Sequence, residues 1–407
     1  MNADWEKVTR CSGCNTNNLE IIWDFKKVPL AGYFPVKGAE DLRNLIPMEL
    51  TQCSNCLLVQ IDPNVSDVLL FEDYRYISSV GMQRHFNEFA EWFMASFSPK
   101  NECDILEIGC NDGPLLQSLT KFGFSPMGID PASNIVELAK DKGLQVVNDF
   151  FSLDSVTKYG FESKFDYIIS CNSFAHISKI REIAKAVSFA LKENGKFIVE
   201  VQSFYALVNS LAFDFVYHEH KFYYTLSSIE NLLNNYELNL IDVQIIGSHG
   251  GSYRLTFSNS IKTKSERLKS EMDKESASNI LNVEAIKLKV KMFMGNIEHL
   301  GKELEELKDS GLKIIGFGAS GRANMQLSYL GEKASLIDYV VDESKERIGR
   351  NLAFSGVGIK NYADLKGDEY DVCVILAWNF ADHIMEKMQH PGKIFIIPFP
   401  EFKIIRT

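Results

Sequence analysis

The stretch DILEIGCNDG, Asp104 to Gly113, sets the reading of the fold. Its first six residues are a short apolar run with one internal acid, the pattern of a strand buried in a parallel sheet. The turn that follows carries Gly109 and Gly113, which let the backbone approach a ligand at the carboxyl end of the strand. Working outward, Pro126–Asp130, Gln145–Val147, Phe165–Ser170 and Lys196–Val201 read as further buried strands with helices between them, which predicts a parallel α/β sheet. Asn239–Ser258 supplies two more strands, close enough in sequence to form an antiparallel hairpin. A second α/β unit opens at Lys313 with KIIGFGASG, enters a helix at Arg322–Leu330 and continues through LIDYVVDES, YDVCVILAW and KIFIIPFP. Residues 261–310 contain no proline and repeat Lys, Glu, Leu and Met at helical spacing, so they read as one or two helices that pack and link, with the charges facing water.

Upstream lie two CxxC pairs, Cys11 with Cys14 and Cys53 with Cys56, 38 residues apart. Four thiolates from two turns suit tetrahedral zinc and leave no open position, so a structural metal site is expected. A thioredoxin-type redox pair would need a βαβ pattern around it, and none is evident. A small N-terminal unit has little core of its own, which gives the metal a folding role. The expected plan is therefore a zinc-binding domain at 1–75, an α/β domain at 76–260, a helical linker at 261–310 and a second Rossmann-like α/β domain at 311–407.

Composition narrows the function. The 407 residues carry a net charge of −11, which cannot gather nucleic acid by overall electrostatics. Hydrophobic residues at 45% and charged residues at 24% fit a folded chain, not a disordered one. No run approaches the roughly 18 apolar residues of a membrane span, and MNADWEKVTR has no export-signal core, so a cytoplasmic location with reduced cysteines is expected.

The first Gly-rich turn also discriminates between cofactors. A dinucleotide fold uses GxGxxG to cradle a pyrophosphate, whereas Glu107, Gly109, Asn111, Asp112 and Gly113 form an acid-rich ExGxxxG turn suited to a cofactor without phosphate and with a cationic sulfonium. S-adenosylmethionine fits. Asp130, followed by Pro131, ends the second strand where a carboxylate can accept from a ribose diol, and Asn148, Asp149 and Phe150 end the third, where a polar group and an aromatic can meet an adenine.

With these motifs the sequence resembles the sugar C-methyltransferases that act on nucleotide-linked 4-keto-deoxysugars. The resemblance spans the whole chain: the four cysteines, EIGCNDG, NSFAHI at Asn172–Ile177, FDFVYHEHKFYYT at Phe213–Thr225, SHGGSYR at Ser248–Arg254 and a C-terminal α/β domain. It implies S-adenosylmethionine as cofactor, with Asn172 beside it, structural zinc, and a nucleotide-diphosphate sugar bound between the two α/β domains. Methylation is expected at a carbon next to the ketone, C3, through an enolate.

That chemistry needs a base near neutral pKa, which histidine supplies, and a donor for the enolate oxygen. The resemblance implies His220 as the base, with Glu219, Tyr217, His176 and Tyr76 around the sugar. His218 reads equally as a surface residue flanking the site, and a HEH triplet can also be a metal ligand pair. Tyr74 lies on the same side of an extended segment as Tyr76. His85, at helical spacing among apolar residues, reads as structural. His249, Gly250, Gly251 and Ser252 join two strands, as a plain hairpin turn or as a border of the active site with Arg254. In the second Gly-rich turn, Gly318, Ser320 and Arg322 are placed to hold a phosphate. This turn reads GASGRANM where the family has GASAKGNT, and with Asp342 ending the next strand the segment also admits NAD. Methylation of a sugar oxygen or nitrogen, which needs no enolate, and a non-catalytic zinc-ribbon binding protein are the rival functions.

Overall fold

The computed structural model describes residues 4–36, 45–71, 78–100, 102–388 and 390–407. The first segment forms β1 (Trp5–Glu6), β2 (Leu19–Val28), β3 (Ile46–Cys53), β4 (Val59–Asp62), β5 (Asn64–Val65) and α1 (Asp67–Phe71). The first α/β unit follows with α2 (Ser79–Phe97), β6 (Ile105–Ile108), α3 (Pro114–Thr120), β7 (Met127–Asp130), α4 (Ser133–Asp141), β8 (Gln145–Asn148), α5 (Leu153–Tyr159), β9 (Phe165–Cys171), α6 (Ile180–Ala190) and β10 (Leu191–Gln202). It continues through α7 (Phe204–Asn209), β11 (Phe222–Tyr223), α8 (Leu226–Leu233), β12 (Asn239–Ile246) and β13 (Ser252–Ser258). Two helices, α9 (Glu266–Ala277) and α10 (Val283–Asp309), lead to β14 (Ile314–Phe317), α11 (Gly321–Leu330), β15 (Tyr339–Asp342), β16 (Ile359–Asn361), β17 (Val372–Ile375), α12 (Ala381–Lys387), β18 (Ile394–Ile397) and β19 (Lys403–Arg406).

The central sheet has the order β12-β13-β10-β9-β6-β7-β8. β6 through β10 run parallel, as the buried apolar runs require, and β12 and β13 add the expected antiparallel pair. All four residues of β6 are buried, because helices cover both faces. The second sheet, β16-β15-β14-β17-β18-β19, is parallel except at its last strand. Both α/β units are thus open sheets with ligand clefts at the strand carboxyl ends. Among the described residues no helix is long and apolar enough to cross a membrane.

The N-terminal strands build a separate antiparallel sheet, β11-β4-β3-β2, whose edge strand β11 comes from the middle of the chain. Its apolar face, Ile22, Phe25, Val28, Met48 and Leu50, shares one core with α10 and the C-terminal sheet. Its cysteine end, Cys11, Cys53 and Cys56, packs instead with Ile229 and Leu232 of α8 in the core of the first α/β unit. The small sheet therefore wedges between the two larger units and holds their clefts face to face.

Candidate active site

A cavity of about 2110 Å³ lies where the three sheets meet. A single-ligand site occupies roughly 300–1,000 Å³, so this one has room for a cofactor and a second large ligand.

At one end, the turn after β6 holds Gly109 at φ +70°, where a Cβ would come 2.6 Å from Ser173 Cβ. Only glycine fits there. The Asp130 carboxylate accepts from the Asn111 and Ala132 N–H groups, each at 2.9 Å, and so ties the first turn to the second. Asn148 Nδ2 donates to the Asp130 and Pro131 carbonyls from behind. Phe150, 50% exposed, stands open at the rim. Gly109, Asn111, Asp130, Pro131, Phe150 and Asn172 line the cavity, whereas Glu107, Asp112, Gly113, Asn148 and Asp149 are placed behind them. Asp112 receives Lys142 Nζ at 2.6 Å and Ser79 N–H at 3.1 Å, which pins the start of α2 over the turn. Gly113 caps α3, and a Cβ there would sit 2.2 Å from Leu144. Asp149 is taken by Lys158 and Tyr159. Glu107 is buried with one carboxylate oxygen unpartnered, and burial, then Asp130, pushes its pKa well up. The cradle is polar and has no cationic side chain among its lining residues at the turn, which suits a cationic sulfonium cofactor better than a pyrophosphate.

In the middle, the segment after a short 3₁₀ turn at Phe213–Phe215 brings the expected residues together. His220 Nδ1 donates to the Phe215 carbonyl at 3.0 Å, which fixes the neutral tautomer with its lone pair on Nε2. Its ring packs against Tyr217, 4.2 Å away, and Phe215, 5.2 Å away and 11° from parallel, with His176 at 4.9 Å. His176 Nδ1 donates to the Glu219 carbonyl at 2.7 Å. Glu219 Oε1 accepts from Gly32 N–H at 2.8 Å, its buried Oε2 has no partner, and burial raises its pKa. Burial, then the neighbouring His176, holds His220 well below the ordinary histidine value, and burial lowers His176 and His249 to about 4. His249 meets the Phe215 ring edge-on at 5.8 Å, its backbone in the left-handed region at φ +55°.

Several sequence expectations change here. His218 is buried, not a surface residue: it donates from Nε2 to the Pro47 carbonyl and fastens this segment to β3. His85 faces the cavity, 2.6 Å from Glu200, which also receives Cys171 and Arg254. His85, Cys171 and Glu200 are close enough to share a metal ion, yet their contacts converge on one carboxylate oxygen, as hydrogen bonds do, and Arg254 already balances the charge. Arg254 is buried over the rings of Phe89 and Trp92. Gly250, Gly251 and Ser252 lie behind His249, and Gly251 abuts Ala206. Tyr76 and Tyr74 fall outside the described residues.

At the far end, Ser320 and Arg322 line the cavity, with Gly318 behind them at φ +95° against Ala377. Arg322 does not stand free for a phosphate: its Nε and Nη2 each donate to Asp214 at 3.0 Å and its Nη1 to Asn379 at 2.9 Å. The basic residues that open onto this end are Lys345, Arg347 and Arg350. Sequence reading passed over them, although ESKERIGR directly follows the acid-ended strand. Asp214 was missed too, and an acid inside the apolar run AFDFV was its signal.

Outside the cavity, the four N-terminal thiols converge within 4.8 Å, with Cys11 to Cys56 and Cys14 to Cys53 each 3.5 Å apart. A tetrahedral site with metal–sulfur bonds of about 2.3 Å has edges of roughly 3.8 Å, so the set fits a metal ion. Gly13 N–H points at Cys11 Sγ at 3.3 Å, as thiolate ligation favours.

Two family models match the chain in succession, a methyltransferase domain over residues 79–243 and a C-methyltransferase C-terminal domain over residues 247–400. The C-methyltransferase NovU of Streptomyces niveus is 26% identical over 98% of this chain and 97% of its own length. A methyltransferase of Geobacillus sp. is 33% identical over 25% of this chain and 44% of that protein. Among solved structures, magnesium protoporphyrin IX methyltransferase of Synechocystis PCC 6803 matches with a TM-score of 0.34 and 15% identity, over 44% of this chain and 81% of that one. The chain thus belongs with the methyltransferases that join a methyltransferase domain to a C-methyltransferase C-terminal domain.

Proposed function

We propose that the protein methylates the carbon next to the ketone, C3, of a nucleotide-diphosphate 4-keto-deoxysugar, with S-adenosylmethionine as donor and His220 as base. One observation carries this reading. His220 offers an imidazole lone pair to a cavity that joins the cofactor-type cleft at one end to a basic cleft at the other. Gly109, Asn111, Asp130, Phe150 and Asn172 would hold S-adenosylmethionine, which supplies an electrophilic methyl on sulfur. His220 Nε2 takes the proton from the ring carbon, and the electrons of that C–H bond pass into the enolate. Tyr217 and His176 flank the developing charge. Glu219, whose pKa burial raises, keeps a buried Oε2 without a protein partner that is available to hydrogen-bond a sugar hydroxyl. Lys345, Arg347 and Arg350 suit the diphosphate. Cys11, Cys14, Cys53 and Cys56 would hold zinc in a structural role. The parts at 1–75, 76–260, 261–310 and 311–407 then serve as zinc unit, methyltransferase unit, linker and nucleotide-sugar unit.

The test is mass spectrometry of wild type and His220→Ala with S-adenosylmethionine and a panel of nucleotide-linked 4-ketosugars in deuterated water. A single carbon-bound methyl, with methylation and deuterium exchange both lost in the variant, is the expected result. Methyl transfer to oxygen or nitrogen would sink the enolate reading, and exchange that persists without the imidazole would remove His220 as the base.

A further inference from the structure

His220 is gripped twice by one residue. Phe215 accepts its Nδ1–H on the carbonyl and stacks its ring on the imidazole. The residue before it, Asp214, is wholly buried, and among the described residues its side-chain partners all belong to the C-terminal unit: Arg322 through two N–H groups, Gln326 at 2.8 Å and Trp378 Nε1 at 3.0 Å. The guanidinium then lies over the Phe215 ring at 4.7 Å and over Trp378 at 4.6 Å. Guanidinium, phenyl and imidazole so form a stack that runs from the second α/β unit to the base in the first.

A bidentate fork fixes direction as well as distance. A buried ion pair adds little net stability over an apolar replacement, and its best-attested use is to specify one register. Three of the five N–H donors of Arg322 are already committed within this hub. We propose that Arg322 and Asp214 are positioning residues for His220, an inter-domain clamp that aims the imidazole through Phe215, and that Arg322 is not a phosphate ligand. The inference rests on the reading of His220 as the base.

The experiment measures deuterium exchange at the ring carbon of the nucleotide sugar that wild type accepts, in full-length Arg322→Lys, Asp214→Asn and Trp378→Phe. Trp378→Phe removes one donor and keeps the ring, so it reports on the clamp even where the charge variants fail to fold. A misaimed base costs about 10-fold to 100-fold in kcat for the charge variants, and loss of a single hydrogen bond about 3-fold to 10-fold for Trp378→Phe. KM and the affinity for the matching free nucleoside diphosphate should stay within about twofold, since no ligand contact is removed. A rise in KM and weakened nucleoside diphosphate binding at unchanged kcat would make Arg322 a ligand and overturn the clamp. So would wild-type exchange in all three variants while His220→Ala is dead. Exchange that survives His220→Ala would instead remove the base assignment and the clamp with it.

Discussion

A histidine can act as a base only while it is unprotonated, and the surroundings of His220 enforce that state. Its ring packs against Phe215, Tyr217 and His176, so a charge there would be poorly solvated, and burial lowers its pKa more than the Phe215 carbonyl raises it. The sign follows directly. A folded-state pKa well below 6.5 means that half-protonation, and with it half-loss of the base, comes only at pH well below 6.5. Exchange monitored as kcat/KM should therefore stay level from pH 8 down to 6.5 and fall only below that; a midpoint at or above 6.5 would count against His220. At this scale the sequence was most informative where a motif stood out. His220 stands in the densely polar run His218–Lys221 and His176 inside SFAHI, and the family resemblance supplied the role of base. Arg322 drew attention as the cation after a Gly-rich turn, while its pairing with Asp214, 108 residues away, is one that spacing cannot encode.

Elements were legible when their periodicity was local. The four-residue run Ile105–Ile108 is buried on both faces, and the β12–β13 pair follows from short separation. In α10 the buried residues Ile286, Val290, Phe293, Ile297, Leu300 and Leu304 recur every three or four positions, an apolar seam behind the charged face. Less legible was how α9 is anchored. Glu275, near its end, is buried and accepts from the N–H of Leu226 at the start of α8, while the Tyr253 hydroxyl of β13 donates to the same carboxylate. Burial raises its pKa to about 7. Since the folded value exceeds the unfolded one, its contribution to stability is fully present below about pH 4.5 and is lost as pH rises through 7. Glu275→Gln keeps an acceptor for Leu226 without the titration. The variant should show a flatter stability profile between pH 5 and 8, by on the order of 2–3 kcal/mol across that window. Urea unfolding at several pH values would read this, and parallel profiles for variant and wild type would refute it.

At the scale of the whole molecule, the parts do not each close over a private core. The small sheet shares one core with α10 and the C-terminal unit and another with α8, and Asn324 of the second unit donates to the carbonyls of Ala31 and Tyr33, some 290 residues away. Contacts of that range leave no periodic trace in sequence, which is why residues 1–75 read as a zinc-binding domain of their own. Its position gives the cysteine cluster a route to the chemistry. The thiols anchor the turn that leads into β4, β4 pairs with β11 through Gln60 to Phe222 and Val59 to Tyr223, and β11 begins two residues after His220. A metal at a thousand times its dissociation constant stabilises by about 4 kcal/mol, so its removal should lower the melting transition by roughly 5 °C. If the cluster holds zinc, chelation should also reduce ring-carbon exchange while leaving S-adenosylmethionine affinity unchanged, because β6, β7 and β8 make no sheet contact with β4. Readdition of zinc should restore both the melting temperature and the exchange rate. A chelated protein that melts as before would remove the metal from the architecture, and one that melts early yet exchanges at the full rate would cut the link from thiols to base.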